Sequence, residues 1–203
     1  MGTAEPYEHI GYQRFIGLKS LAFTAPPPAC PNPVPGTDDN IEGPYYRAGS
    51  PWRTDIADEN ELGRRLIIRG SVVDRCGKPI RGSILDIWQA TKAGHYDNDG
   101  SQPAPGPSQF RLRGQLKTNQ KGRYKFKTIW PGAYPIGNGI WRPSHIHVKI
   151  RSEGYRELTT QLYFKGDPYN DGDFGYKPSL ELNPIEQDGF YVAQFKFVIF
   201  ESC

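Results

Sequence analysis

The chain has 203 residues, with 25 lysines and arginines against 22 acidic residues, a formal net charge of +3. This length fits one domain with a sizeable core, and the charge is too weak and too dispersed to argue for a nucleic-acid-binding surface. Apolar runs fall far short of the roughly 20 residues that span a bilayer, so no membrane segment is predicted. Glycine (23) and proline (19) are abundant and long helical patterns are missing, which predicts an all-β domain with many turns.

The first part of the chain, residues 1–42, is predicted to be an extended, proline-rich N-terminal arm. Six prolines between residues 26 and 35 favour extended backbone that cannot donate to a β-ladder. The arm also carries four aromatic side chains, Tyr7, Tyr12, Phe15 and Phe23. We therefore expect it to dock on the domain or on a neighbouring subunit, with disorder as the alternative.

The remainder, residues 43–203, is predicted to form one folded domain. Period-2 apolar patterns and turn signals predict strands at Leu66–Asp74, Gly82–Ala90, Leu112–Thr118, Arg123–Ile129, Arg142–Ile150, Leu158–Phe164 and Val192–Phe200. Such spacing is typical of a single-domain β-sandwich of about seven to eight strands. Two long polar loops, residues 91–110 and 165–189, are expected to be functional because structureless loops of that length are uncommon.

Asp86 lies in the second predicted strand, on the same face as the large apolar Trp88. A buried carboxylate needs hydrogen-bond partners. We therefore interpret Asp86 as a satisfied buried acceptor.

The three cysteines, Cys30, Cys76 and Cys203, form no CxxC pair. One interpretation is three free thiols in a cytoplasmic protein. The alternative is a Cys30–Cys76 disulfide in a secreted protein, and spacing alone does not decide between them.

The main candidate for chemistry is the pair His145 and His147. Residues two apart on a strand point to the same face, so both imidazoles can approach one metal ion. The intervening Ile146 would then face the core. Two surface histidines are the alternative. No cysteine or HxD/E pattern stands beside the pair to complete a zinc or facial-triad iron site. Tyrosines 96 and 134 lie in nearby loops, and Fe(III) can ionise a phenol whose pKa is near 10.

Five short motifs, in order and at matching spacing, resemble the intradiol ring-cleavage dioxygenases, and in particular the iron-bearing β chain of protocatechuate 3,4-dioxygenases. They are Asp86–Ala90 with Gly94–Tyr96, then Gly122–Ile129, Pro131–Pro135, Arg142–His147 and Thr160–Phe164. The resemblance extends from about residue 43 to residue 168. It implies a β-sandwich that binds non-haem Fe(III) through two tyrosines and two histidines, which match Tyr96, Tyr134, His145 and His147.

The resemblance also implies roles around the metal. Arg142 matches an arginine of the substrate pocket that stabilises developing negative charge, and Gln161 matches a pocket glutamine. Tyr134 matches the displaceable tyrosine, which leaves the metal and helps take a proton. Ile136 stands where the β chain of the protocatechuate enzymes has tryptophan, so a different substrate-binding wall is expected.

The implied function is cleavage of a catecholic ring between its two hydroxylated carbons with O2, giving a cis,cis-muconate-type dicarboxylate. The expected partners are the small-molecule substrate, O2 and further copies of this chain or a related chain. Two alternatives remain at this stage. The same fold and iron site could act on a larger phenolic in a biosynthetic pathway, or the β-sandwich could be a non-catalytic binding protein.

Overall fold

A computed structural model describes residues 30–202, and eleven strands account for most of the regular structure in this range. The two 3-10 helices of this range, Asn170–Gly172 and Pro178–Leu180, have one turn each, and none of its helices is long and apolar enough to cross a membrane. The strands are β1 (Arg65–Asp74), β2 (Ile84–Gln89), β3 (Arg113–Lys117), β4 (Arg123–Ile129), β5 (Tyr134–Gly137), β6 (Ile140–Arg142), β7 (His145–Arg151), β8 (Leu158–Phe164), β9 (Glu181–Leu182), β10 (Ile185–Gln187) and β11 (Phe190–Ile199).

Two sheets pack face to face and enclose one main core. The first sheet has the order β10-β11-β1-β4 and the second the order β3-β2-β7-β8-β9, while β5 and β6 pair in a separate hairpin. The first sheet contributes residues such as Phe126 and Phe197 to the core, and the second contributes Ile87, Val148 and Leu162. Alternate residues of each strand face the other sheet, as sandwich packing requires. The predicted all-β sandwich is confirmed.

The short strands were not predicted, and prolines explain part of the difference. Pro135 lies in β5, where the β5–β6 pairing is irregular, and this hairpin lacks a long alternating pattern. The predicted strand Arg142–Ile150 is divided, because Pro143 has no backbone N–H to donate. Arg142 therefore ends β6, and β7 begins at His145. This break places Arg142 on the β5–β6 hairpin rather than on β7, the strand that carries His145 and His147.

The described part of the N-terminal arm lies against both sheets. The Thr37 backbone N–H donates to the Val198 carbonyl, and the Val198 N–H donates to Thr37 Oγ1. Further along, the Asn40 N–H donates to the Thr159 carbonyl on β8. Docking is thus observed for residues 37–40. Residues 1–29 lie outside the described range, and the boundary at residues 42 and 43 stays a prediction.

The cysteine alternatives are partly resolved. Cys30 and Cys76 are free thiols, and their mutual hydrogen bond raises the pKa of the Cys76 thiol to about 11. Cys203 lies outside the described residues. The predicted cytoplasmic location, with secretion as the alternative, stays a prediction.

Gly70 is located where β1 has no room for a side chain. A Cβ atom at this position would lie 1.7 Å from the Phe195 carbonyl oxygen of β11, the strand that pairs in parallel with β1. It would also lie 3.0 Å from the Tyr124 hydroxyl, which donates to the same carbonyl at 2.9 Å. Glycine therefore allows this close approach of backbone and side chain.

We predict that Gly70→Ala lowers the free energy of unfolding by about 2–3 kcal/mol, because the added methyl group forces the two central strands apart. Urea denaturation measures the change. The matched control is Gly172→Ala, where a Cβ atom would meet no heavy atom within 4 Å. Equal stability of the two variants would contradict the close approach of β1 and β11.

Candidate metal centre

His145 and His147 place their imidazoles side by side on the buried face of β7. Their Nε2 atoms are 3.2 Å apart, and both residues are 1% exposed. His145 Nδ1 lies 2.7 Å from the Pro143 carbonyl oxygen, which can only accept a hydrogen bond. His145 Nδ1 therefore carries the proton, and its Nε2 presents a lone pair. The opposite face of β7 contributes Ile146 to the core, as the alternation predicts.

Burial keeps both imidazoles neutral. It lowers the pKa of His145 to about 3, with a further decrease from the positive charge of Arg142. Burial also holds the pKa of His147 well below its ordinary value, and the neighbouring His145 adds to this effect. A neutral imidazole is the form that binds a metal ion. The pair is therefore in its metal-binding form at neutral pH.

The two loop tyrosines meet the histidines at the same place. The Tyr96 hydroxyl lies 3.4 Å from His145 Nε2, and Tyr96 is 1% exposed. Tyr134, at the start of β5, is 8% exposed, and its ring centroid lies 5.6 Å from that of His145 and 5.7 Å from that of Tyr96. The structure thus brings together the four residues that the sequence predicts as metal ligands.

Two glycines allow the loops that carry these tyrosines to touch. A Cβ atom on Gly94 would lie 2.5 Å from the Ala133 carbonyl oxygen, and the φ angle of Gly94 is +83°, a region that favours glycine. Gly132 is equally crowded, with the backbone of the Gly94 loop 2.3 Å from its would-be Cβ. This contact places Tyr96 beside Tyr134.

Both phenols are protonated in the protein without a metal. Burial raises the pKa of Tyr96 well above its ordinary value, and the neighbouring Tyr134 raises it further. Burial also raises the pKa of Tyr134, against which the nearby Arg142 acts in the opposite direction. A strong cation bound at the site would favour ionisation of these phenols.

The donor set fits a metal ion that accepts phenolate ligands. Metal–nitrogen bonds are about 2 Å long, so nitrogen atoms 3.2 Å apart can both bind the same ion. Within residues 30–202, no group of three or more histidine, cysteine, aspartate or glutamate side chains could hold a metal. The phenols of Tyr96 and Tyr134 are neighbouring groups that could add protein ligands to an ion bound by His145 and His147.

Aromatic rings hold two of the four side chains in place. Trp88 stands opposite His147 in the β2–β7 pairing and stacks on it, with centroids 4.7 Å apart and an interplanar angle of 7°. Tyr45 stacks on Tyr96 in the same way, at 4.4 Å and 22°. Neither residue was predicted as part of the site. Two sequence features could have pointed to them: the aromatic Tyr45-Tyr46 pair, which follows a turn, and the strand face that Trp88 shares with Asp86.

Asp86 is fully buried, as expected, but only one of its oxygens has partners. Its Oδ2 accepts a hydrogen bond from the Tyr46 hydroxyl at 3.0 Å and lies 3.5 Å from Arg151 Nη1. Its Oδ1 has no hydrogen-bond partner, and burial raises the pKa of the carboxyl. The prediction that Asp86 is a fully hydrogen-bonded acceptor therefore holds for its Oδ2 but not for its Oδ1.

Arg142 is buried beside the four residues, as expected of a residue in a substrate pocket. It is 4% exposed and stands opposite Tyr134 in the β5–β6 pairing. Its Nη2 donates to Gln161 Oε1 at 2.8 Å. Gln161 itself stands opposite His147 in the β7–β8 pairing and donates to the Ile41 carbonyl. Both predicted pocket residues thus border the histidines.

Ile136 lies apart from this buried group. It is 47% exposed, in the irregular part of the β5–β6 hairpin, with Ile140 similarly exposed. Contact of Ile136 with a substrate stays a prediction.

A buried carboxylate on the second long loop was missed by sequence reasoning. Asp173 forms an ion pair with Arg142, its Oδ2 2.6 Å from Arg142 Nε. Loop residues have no periodic pattern that predicts burial, so no sequence signal pointed to Asp173.

The first long loop is held by a second ion-pair network. Arg113 Nε donates to Asp97 Oδ1 at 2.8 Å, and Arg47 Nη1 donates to Asp97 Oδ2 at 2.8 Å. Asp97 follows Tyr96 directly, so this network restrains the loop that presents the Tyr96 phenol. Histidine 95, by contrast, points away and contacts Asp99.

Fold and site together define a β-sandwich protein with a buried centre of two histidines and two tyrosines. The family model described as Dioxygenase matches residues 41–184, most of the described chain. The chain belongs to the intradiol ring-cleavage dioxygenase family, whose members generally depend on non-haem iron.

Relatives of known activity support this assignment. Chlorocatechol 1,2-dioxygenase of Rhodococcus opacus is 36% identical over 188 residues, which are 80% of this chain and 72% of the relative. The protocatechuate 3,4-dioxygenase β chain of Burkholderia cepacia is 44% identical over 144 residues, 69% of this chain and 60% of that protein. Some relatives, such as this β chain, are thus longer than the present chain, which spans less than two thirds of their length.

Solved structures show the same fold. The dioxygenase domain of a dioxygenase and carbohydrate-binding protein fusion from Streptomyces sp. SirexAA-E has a TM-score of 0.72 and 37% identity, covering 83% of this chain and 100% of that domain. The 3-chlorocatechol 1,2-dioxygenase of Rhodococcus opacus 1CP has a TM-score of 0.75 and 32% identity, covering 82% and 73%.

Proposed function

We propose that this protein is a non-haem Fe(III) dioxygenase that cleaves a catecholic ring between its hydroxylated carbons with O2, giving a cis,cis-muconate-type dicarboxylate. The observation that carries the proposal is the convergence of Tyr96, Tyr134, His145 and His147 on one buried point with both imidazoles neutral. The named activities of the relatives support the same reaction class.

The four side chains would hold the iron, two through imidazole nitrogen and two through phenolate oxygen. When bound, Fe(III) would supply Lewis acidity and an electron-accepting centre for the catecholate ring. The protein residues around it bind the ring, exclude water and move protons. Stacking of Trp88 on His147 and of Tyr45 on Tyr96 keeps two of the ligands oriented.

The two tyrosines differ in a way that suits different roles. Tyr96 is enclosed by the aromatic cluster and is 1% exposed, so it would remain a fixed ligand. Tyr134 is more exposed, at 8%, and faces the Arg142 guanidinium across the β5–β6 hairpin. Its phenolate oxygen is therefore the better placed to accept a proton from the incoming catechol.

Arg142 would stabilise the negative charge that develops on the substrate during ring cleavage. A buried guanidinium acts in a medium of low dielectric constant, where a fixed charge is worth more than in water. Gln161 holds the Arg142 Nη2 group through its carbonyl oxygen. These two residues would form the polar wall of the substrate pocket, and Ile136 a part of its apolar rim.

A second candidate function keeps the iron site and enlarges the substrate. Ile136 and Ile140 are about half exposed on the hairpin, and Phe174 is 68% exposed above the Arg142 guanidinium. An apolar rim of this kind favours a larger phenolic, such as one from a biosynthetic pathway, over a bare catechol ring.

Oxygen uptake by the iron-loaded protein tests the proposal across a panel of catechol, chlorocatechol, hydroxyquinol and protocatechuate. We expect one O2 per ring, with a product heavier than the substrate by both oxygen atoms. Uptake with none of the four compounds, but with a larger catechol, would favour the second candidate. No uptake with either set would contradict the proposed function.

The assembly of the protein is also a proposal. The β-chain relative is named as one chain of a protocatechuate dioxygenase. We propose that this chain assembles with copies of itself or with a related chain, and sedimentation velocity measures which assembly forms.

A further inference from the structure

Arg142 and Asp173 form a bidentate ion pair inside the protein. Arg142 Nε donates to Asp173 Oδ2 at 2.6 Å, and Arg142 Nη2 donates to Asp173 Oδ1 at 3.1 Å. The two side chains are 4% and 1% exposed. Fork-to-fork pairing of this type fixes the plane of the guanidinium as well as its position.

Two further groups hold the same edge of the guanidinium. Gln161 Oε1 accepts from Arg142 Nη2 at 2.8 Å, and the Tyr163 hydroxyl lies 3.2 Å from the same nitrogen. The Tyr163 hydroxyl in turn donates to Gln161 Oε1 at 2.9 Å. All of these bonds use Nε and Nη2. The side chain is therefore held from one edge, away from Nη1.

The loop presents Asp173 in a fixed position. Its backbone N–H donates to the Asn170 carbonyl at 3.0 Å, and its Oδ1 accepts from the Gly175 N–H at 2.9 Å. The carboxylate is thus held by its own loop as well as by Arg142.

Arg142 also borders the candidate metal centre. Register in the β5–β6 hairpin places Arg142 directly opposite Tyr134. We propose that Asp173 is a positioning residue, which with Tyr163 holds Arg142 so that its Nη1 edge is presented to Tyr134 and to the bound ring. This inference rests on the proposed function. It assigns a role to the second long loop, residues 165–189, that its polar composition did not reveal.

A double-mutant cycle tests this role, with kcat and KM measured by oxygen uptake. In Asp173→Asn an amide nitrogen replaces one carboxylate oxygen, and it cannot accept from the guanidinium. We expect kcat to fall about 10- to 100-fold, with KM changed less than about threefold, because ring binding to the metal is retained. In an Arg142→Ala background, Asp173→Asn should change kcat less than about twofold, since the residue acts through Arg142.

The matched control is Asp38→Asn. Asp38 accepts hydrogen bonds from Lys177 and Ser179, so it anchors another part of the same loop through bonds that do not involve Arg142. Its kcat should stay near that of the wild type. A loss equal to that of Asp173→Asn would show that loop anchoring, rather than the Arg142 contact, is responsible, and would overturn the proposal.

Iron content and anaerobic catechol binding provide readouts apart from turnover. Both should remain near wild-type values in Asp173→Asn, because no predicted ligand is changed. If this variant does not fold, Tyr163→Phe serves instead. It removes a hydroxyl that lies 3.2 Å from Arg142 Nη2 and 3.4 Å from Asp173 Oδ1. We expect kcat to fall about threefold to tenfold, again without effect in the Arg142→Ala background.

The outcomes separate the two proposals. A wild-type protein that cleaves none of the catechols contradicts the proposed function. An active wild type whose Asp173→Asn or Tyr163→Phe variant keeps its kcat, or loses it equally in the Arg142→Ala background, contradicts the positioning role of Asp173.

Discussion

Replacement of His147 by alanine is expected to remove stoichiometric iron from the protein and with it all measurable ring cleavage. The imidazole is 1% exposed, and its Nε2 lies 3.2 Å from that of His145, so its loss would leave a buried gap on the histidine side of the site. Loss of residues that merely support a metal ligand costs about 10- to 100-fold in affinity. Loss of the ligand itself should cost more, at least about 100-fold.

Iron content by elemental analysis and affinity by chelator competition measure the effect. The matched control is His95→Ala, which removes a histidine from the loop of Tyr96. His95 is largely exposed and contacts Asp99, not the cluster. Its iron content should equal that of the wild type. Iron retained by His147→Ala, or lost equally by both variants, would contradict the assignment of His147 as a ligand.

Arg142→Ala is expected to lower kcat about 100- to 1000-fold while iron stays bound, since a preorganised electrostatic donor contributes about this much. The variant also leaves Asp173 as a buried carboxylate without its cation. Breaking a buried pair in this way should reduce the free energy of unfolding by about 3–5 kcal/mol. Oxygen uptake and urea denaturation measure the two effects separately.

Two further variants test whether the effect depends on the charge, the geometry and the position of Arg142. Arg142→Lys keeps the charge but not the bidentate geometry, so it should recover stability more than kcat. Arg65→Ala removes an arginine that donates to backbone carbonyls at the surface, and it should alter neither quantity. If Arg142→Ala keeps its kcat, the guanidinium has no part in charge stabilisation.

The histidine half of the site follows from residue alternation. A period of two places His145 and His147 on one face and Ile146 in the core, and the structure has this arrangement. The main strands and the sandwich follow from the same rule. The face on which a strand residue lies depends on the alternation of nearby residues, which can be seen in the sequence.

The tyrosine half depends on tertiary contacts. Tyr96 and Tyr134 are 38 residues apart and lie on different loops, and they meet because Gly94 and Gly132 allow those loops to touch. Their position in loops near the histidines made both tyrosines candidates, but spacing carries no information on such a contact, so the resemblance to a known family was needed to match them to metal ligands. Asp173 had neither a periodic pattern nor a matched motif, and it was missed.

The ends and the pairing of the strands are likewise only partly predictable from local sequence. Pro143 ends the ladder between Arg142 and the histidines, which a proline rule predicts in part. Parallel pairing of β1 with β11 joins segments more than a hundred residues apart, and no local signal specifies it. Short strands such as β9 exist only because the neighbouring β8 offers an edge.

An anaerobic titration of the iron-loaded protein with catechol tests the central claim most directly. Phenolate ligands to Fe(III) produce a charge-transfer band in the visible region, so the protein should be red-brown. Binding of one catechol per iron should shift this band with a 1:1 end point. An iron-replete protein that is colourless, or a band that catechol leaves unchanged, would contradict a site in which Tyr96 and Tyr134 share one iron with His145 and His147.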